Sequence, residues 1–154
     1  MAGTSGVFAR EFDEIGRTVQ VGFAGGRVIS VSFPAEAPGD AEGDHDLLDR
    51  IGAYLGGERD EFAEVALGLT VQTDQREVLE SLRSVPYGEE VSVSRLARLG
   101  GFDPDDADDL ETVTGALNDN PVPVFLPDHR VSGGPYATPG DVRRALRRVE
   151  GLSQ

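Results

Sequence analysis

The run Val122-Pro123-Val124-Phe125-Leu126-Pro127 constrains this chain more than any other feature, because it is apolar throughout and yet can be neither a helix nor a central strand. Pro123 and Pro127 offer no amide proton to a ladder or a helical turn, and each biases its predecessor toward extended backbone. A buried extended segment is therefore expected, with other elements built around it. Before it, Leu110, Val113 and Leu117 are spaced three and four apart, which predicts a helix over about 106–118 closed by Asn118-Asp119-Asn120-Pro121. A shorter helix is predicted from Ser92 to Leu99, stopped by Gly100-Gly101. Two short helices joined by a turn resemble a helix-turn-helix.

The remaining patterns set the fold class. Val19, Val21 and Phe23 alternate with polar or small residues, as do Ile29, Val31 and Phe33, and Gly25-Gly26 between them marks a hairpin. A loop is expected over Pro34–Asp44, then a helix with Leu47, Leu48, Ile51, Tyr54 and Leu55 inward, ending at Gly56-Gly57. Val65–Val71 reads as a short strand, and Thr73-Asp74 as the cap of a helix whose inner face is Val78, Leu79, Leu82 and Val85, ended by Pro86. The last helix places Val142, Leu146 and Val149 inward and Arg143, Arg144, Arg147 and Arg148 on the other side. The expectation is an α/β chain: a small N-terminal hairpin or sheet subdomain over 1–70, and a mainly helical, winged-helix-like unit with the helix-turn-helix over 71–154.

Charge and missing residue types exclude several functions. The 154 residues carry 28 acids against 14 bases, a formal net charge of −14, and all of the bases are Arg. The acids are spread along the chain, as in a soluble protein adapted to high salt. They repel phosphate at low ionic strength, which excludes generic basic-patch binding to nucleic acid. With no Cys there is no disulfide, thiolate metal site or cysteine nucleophile, and two His make no His-rich metal site. No stretch approaches the roughly 18 apolar residues of a membrane span, and the start has no basic-then-apolar signal, so a cytoplasmic protein without cofactor or metal is expected.

An ordered set of motifs from Thr73 onward carries a resemblance. Pro86-Tyr87-Gly88-Glu89 precedes Ser92 and its short helix, Asn120-Pro121-Val122-Pro123 ends the second helix, and Pro127, His129, Arg130 and Val131 frame position 128. Tyr136 and Glu150 follow at fixed spacings. This stretch resembles the C-terminal domain of the O6-alkylguanine-DNA alkyltransferases, whose frame is Pro-Cys-His-Arg-Val. The resemblance implies a helix-turn-helix that enters the minor groove, an arginine that fills the gap, and a damaged guanine rotated into a pocket beside the acceptor cysteine. Flipping is physically required, since the target oxygen lies within the base pair. It also implies a histidine that generates the thiolate through a water, held by the glutamate.

Three departures bear on function. Asp128 stands at the acceptor position, and a carboxylate of pKa about 3.9 is a far weaker nucleophile toward an alkyl carbon than a thiolate, so transfer is expected to fail. Such a replacement resembles the alkyltransferase-like proteins, which bind the flipped lesion and hand it to other repair factors. Glu111, nine residues before Asn120, falls where the family carries its intercalating arginine, and no base occurs between Leu99 and His129. Val93 replaces a tyrosine near the phosphate of the flipped nucleotide. By resemblance, Asp128, His129 and Glu150 are the remnant of the relay, and Ser92, Val93, Glu111, Asn120, Pro127, Arg130 and Tyr136 are the DNA- or lesion-binding candidates.

Plainer readings stand beside these. Neighbouring side chains on extended backbone point to opposite faces, so Asp128 and His129 are not expected to bond directly, whereas His129 and Glu150 are expected to pair structurally. Arg130 reads as a buried structural arginine, Asn120 as satisfying the carbonyls of its turn, and His45, between Asp44 and Asp46, as solvated surface. Tyr136 either roofs a pocket or covers the core. Asp103–Asp109 lacks the Gly turn and terminal Glu of a calcium loop. The four arginines of the last helix are expected to be neutralised by nearby acids.

Two functions follow. The first is recognition of alkylated duplex DNA by base flipping without transfer, with other repair proteins as partners. The second is a protein-interaction or regulatory module on the same fold, its acidic helix facing a basic protein and not DNA. The acidic recognition helix favours the second, and the Pro127/His129/Arg130 frame the first.

Overall fold

The computed structural model describes residues 5–37, 39 and 41–152. An antiparallel sheet of β1 (Gly6–Phe12), β2 (Arg17–Ala24) and β3 (Arg27–Ser32) opens the chain in the order β1-β2-β3. The β2–β3 turn is the Gly25-Gly26 pair, with φ of 59° and 79°; two consecutive positive φ values are what the primed hairpin turn demands. Val19, Val21, Phe23, Val28 and Val31 enter the core. β1 has no alternating signal because only Ala9 and Phe12 of this edge strand are buried, so a hairpin pattern alone was legible there.

Helix α1 (Asp46–Leu55) buries the expected Leu47, Leu48, Ile51, Tyr54 and Leu55. His45 is not plain solvated surface: its Nδ1 accepts from the Leu47 amide at 3.0 Å as the N-cap, and its ring stacks on Phe23 with centroids 4.7 Å apart. Val65–Val71 is not a strand; it makes a single bridge, Leu67 to Val28, and otherwise runs as loop. α2 (Thr73–Arg83) buries Val78, Leu79 and Leu82, but Gln72 holds its N-cap position without a side-chain bond, and of the expected Thr73-Asp74 cap only Asp74 takes part, accepting from the Gln75 amide at 2.9 Å. The expected loop over 34–44 forms at its described positions, and Pro38 and Asp40, like residues 1–4 and 153–154, lie outside them.

The helix-turn-helix is α3 (Val93–Leu99) and α4 (Ala107–Asn118), packed on each other and on α2. Ser92 caps α3 by accepting from the Arg95 amide, and Asp106 caps α4 by accepting from the Asp108 and Asp109 amides. β4 (Val91–Ser92) pairs in parallel with β5 (Val131–Ser132), which ties the start of α3 to the end of a 3₁₀ turn at Asp128–Arg130. α5 (Gly140–Glu150) closes the fold. Its Arg147 does not face out with the other arginines: it is 3% exposed and donates to the His129 carbonyl and to Glu90. Its long stem lets the guanidinium reach both acceptors from a buried Cα.

Val122–Leu126 is buried as expected, but it is not extended. Leu126 N donates to the Val122 carbonyl at 3.0 Å, and Val124 has φ 79°, so the run winds into consecutive turns. Asn120 explains the difference: its Oδ1 accepts from the Val122 amide at 3.1 Å, and its Nδ2 donates to the Leu126 carbonyl at 2.8 Å. One side chain thus satisfies backbone groups at both ends of the run, which the prolines leave without ladder partners. The run lies in the same apolar core as the sheet and helices, with Phe125 edge-on to Phe62 at 5.2 Å. Among the described residues no helix is long and apolar enough to cross a membrane.

Phe125 is 1% exposed. Phe125→Ala is expected to cost about 3–5 kcal/mol of unfolding free energy, from lost transfer and an unfilled cavity, as measured by urea denaturation. A cost below about 1 kcal/mol would show that the run is not core.

Candidate functional site

Glu150, the last residue of α5, is the centre of a buried polar cluster. Its carboxylate accepts from His129 Nε2 at 2.7 Å, from Arg130 Nε at 2.8 Å and Nη2 at 3.0 Å, from the Gly88 amide at 2.9 Å, and from the Tyr54 hydroxyl at 2.5 Å. The short approach of Nε2 to a carboxylate assigns that nitrogen as the protonated one. Nδ1, on the other edge of the ring, is buried with no hydrogen-bond partner. Burial pushes the Glu150 pKa up, but the donors on His129 and Arg130 outweigh it and hold it well below the usual carboxylate range.

Asp128 forms a second, separate cluster. Its side chain is fully buried. Oδ1 accepts from the Thr138 hydroxyl at 2.6 Å, while Oδ2 accepts from the amides of Ala137 at 3.1 Å and Thr138 at 3.3 Å and from Asn120 Nδ2 at 3.3 Å. Here burial dominates over those donors, and the Asp128 pKa lies above its ordinary value. The two carboxylates therefore act on stability with opposite signs. Glu150 binds its proton more weakly in the folded than in the unfolded chain, so its contribution is lost as pH falls through the carboxylate range. Asp128 binds its proton more tightly when folded, so its contribution falls as pH rises.

The backbone sends the two neighbouring side chains apart: Asp128 bonds to Asn120 and residues 137–138, and His129 to Tyr54 and Glu150. Arg130 is buried, and beyond Glu150 it donates to the Val85 carbonyl at 2.8 Å. Pro127 is buried beside this pair. Tyr136 is half-buried; Arg143 lies 4.0 Å over its ring and donates to its hydroxyl at 2.9 Å. Ser92 and Glu111 are exposed on the helix-turn-helix, remote in chemistry from both clusters, and Val93 is half-buried. Tyr54 and Thr138 were not singled out from sequence. Tyr54 could have been, since a buried phenol on an apolar helix face needs a partner for its hydroxyl; nothing marked Thr138.

Asp103, Asp106 and Asp109 turn inward to backbone amides of their own loop and helix start. Among the described residues no group of three or more His, Asp or Glu is placed to hold a metal ion.

The chain thus combines a helix-turn-helix with a buried Glu-His-Arg centre, and comparison with known proteins places it in a family. Residues 73–151 match the model of the 6-O-methylguanine DNA methyltransferase, DNA binding domain. Curated relatives named methylated-DNA–protein-cysteine methyltransferase include one from Methanopyrus kandleri, 31% identical over 107 residues that cover 68% of this chain and 77% of that one. Another, from Methanothermobacter thermautotrophicus, is 33% identical over 113 residues covering 70% of this chain, and the match spans only 61% of that relative's length. The fold superposes on a crystal structure of Mycobacterium tuberculosis OGT in complex with DNA with a TM-score of 0.73 and 25% identity, covering 94% of this chain and 91% of that one. The chain belongs to the 6-O-methylguanine DNA methyltransferase family.

Glu150→Ala is expected to cost about 3–5 kcal/mol at neutral pH, because it strands Arg130 and His129 in the interior. The difference from wild type should shrink as pH is lowered through the carboxylate range, where the Glu150 contribution is lost in any case. Denaturation curves at several pH values check this, and a cost that grows toward acid pH would contradict it.

Proposed function

We propose that this chain is a non-transferring member of its family, which recognises O6-alkylguanine in duplex DNA and retains the acceptor fold without acceptor chemistry. The observation that carries the reading is Asp128, at the position where the family frame places the acceptor. Its carboxylate is buried and engaged by four donors, in a chain that contains no Cys. A nucleophile must present a lone pair to the alkyl carbon, and the Asp128 lone pairs face protein donors instead. His129 and Glu150 then serve packing. Their removal would leave buried donors unpaired, so folding alone preserves them.

Lesion recognition rests on the helix-turn-helix unit, which we assign to residues 71–154 with 1–70 as its support, and duplex DNA as ligand is supported by the DNA-bound OGT neighbour. On this reading Ser92 and Val93 begin the helix that meets the backbone of the duplex. Glu111 takes the gap-filling position, Asn120, Pro127 and Arg130 frame the lesion site, and Tyr136 roofs it. Phosphate contact falls to the exposed Arg95 and Arg98 of α3. Repair partners that receive the marked lesion, and a cytoplasmic setting, belong to the same proposal.

A second reading has its own observation. Asp105, Asp108, Glu111 and Asp119 are exposed on α4 and the loops that flank it, where the chain offers no base from Leu99 to His129. Such a face suits a basic protein better than a phosphate backbone.

Intact-mass measurement after incubation with O6-methylguanine duplex is expected to show no methyl gain, and a stoichiometric gain would overturn the proposal. In titrations of duplexes with and without the lesion up to molar KCl, preference for the lesion is expected. The slope of log affinity against log salt should be near zero or positive, where each neutralised phosphate would contribute about −0.9. Glu111→Arg should strengthen binding and turn the slope negative. Absence of lesion preference at every salt concentration would leave only the second reading.

A further inference from the structure

Residues 133–139 bridge β5 and α5, held at Tyr136 by Arg143, which stacks on its ring and donates to its hydroxyl, and at residues 137–138 by Asp128. Gly133, Pro135 and Gly140 are exposed, and Gly134, Tyr136, Ala137 and Pro139 are half-buried. Thr138 alone is buried, at 3% exposure, and its amide and hydroxyl both go to Asp128, as does the amide of Ala137. The far side of the same carboxylate is anchored by Asn120, which is itself fixed to the turns of the 122–126 run. Asp128 therefore fastens the 137–138 part of this strap to the rigid core, while Arg143 holds Tyr136 to α5.

Resting on the reading that Tyr136 roofs the lesion site, we infer that residues 133–139 form a lid and that Asp128 is its latch. The latch closes the site to a flipped base until the three bonds to Ala137 and Thr138 are released. Asp128 is then a specificity-determining residue: it replaces an acceptor with a fastening, and the affinity of the chain for the lesion is set by how often the fastening opens. A site that is open for a fraction f of the time binds with an apparent Kd of its intrinsic value divided by f. Loosening the latch tightens lesion binding by the same factor and leaves undamaged DNA, which needs no flipped base, unaffected.

Thr138→Val removes one donor with almost no change of shape, and Thr138→Ser keeps it. Amide hydrogen exchange read by NMR is expected to find Ala137 and Thr138 protected in the wild type and in Thr138→Ser, and roughly tenfold faster in Thr138→Val, as expected for loss of one buried hydrogen bond to a carboxylate. Gly134→Ala reaches the same end from the other side and serves if Thr138→Val does not fold. A Cβ there would lie 2.9 Å from Tyr136 Cε2, at a φ of +52° that suits glycine. Binding of the loosened variant to O6-methylguanine duplex should rise about tenfold over wild type, with guanine duplex unchanged. Unprotected Ala137 and Thr138 amides in the wild type, or equal exchange in wild type and Thr138→Val, would overturn the latch. Faster exchange without lesion preference in either protein supports the fastening and overturns the lesion reading on which its role depends.

Discussion

The Glu150 carboxylate is the interaction on which the rest of the structure depends. An isolated carboxylate in an apolar interior is unstable by many kcal/mol, and only a full set of donors makes it tolerable. Those donors arrive from three places in the chain: Tyr54 on α1, Gly88 in the turn after α2, and His129 and Arg130 on the 3₁₀ turn, all meeting the end of α5. Satisfying one carboxylate thus brings the N-terminal helix, the turn before the helix-turn-helix and the two C-terminal elements into register. Arg130 continues the network to the Val85 carbonyl, and Arg147 ties the His129 carbonyl to Glu90.

This dependence gives His129 and Glu150 a role in folding that needs no reaction. They also complete a buried charge network in which removal of one member strands the others, so packing retains them independently of any reaction. Asp128 faced the opposite problem. A carboxylate placed in a buried site must find donors or be expelled, and Asn120, Ala137 and Thr138 provide them. The surroundings of positions 128 and 129 follow from one rule, that buried polar groups are satisfied.

The elements most legible in the sequence are those whose residues speak for themselves. The inward stripes of α1, α2 and α4 and the Gly25-Gly26 turn rest on local periodicity and local turn chemistry. The pairing of His129 with Glu150 was reached through the spacing of a motif, not through physics. What stayed hidden was long-range compensation. The 122–127 run reads as extended from its prolines, and only the Asn120 side chain, by bonding both ends, allows it to turn. Arg147 reads as outward from its charge, and the His129 carbonyl that draws it in is distant in sequence. Tyr54 reads as one more apolar position, although its hydroxyl reaches a carboxylate 96 residues later.

The acidic surface divides along the same line. Asp103, Asp106 and Asp109 cap backbone amides around the start of α4, so part of the charge on the recognition unit is required by the helix itself and would remain whatever the ligand. Glu111 lies beyond the first turn and is exposed, and no side-chain hydrogen bond of the helix start involves it. Its charge is therefore not required by the cap of the helix. At molar salt the Debye length is about 3 Å, which mutes repulsion across an interface without creating attraction. A chain of this charge that binds a duplex must take its affinity from shape and from backbone amides, and coulombic attraction to phosphate has little part in it.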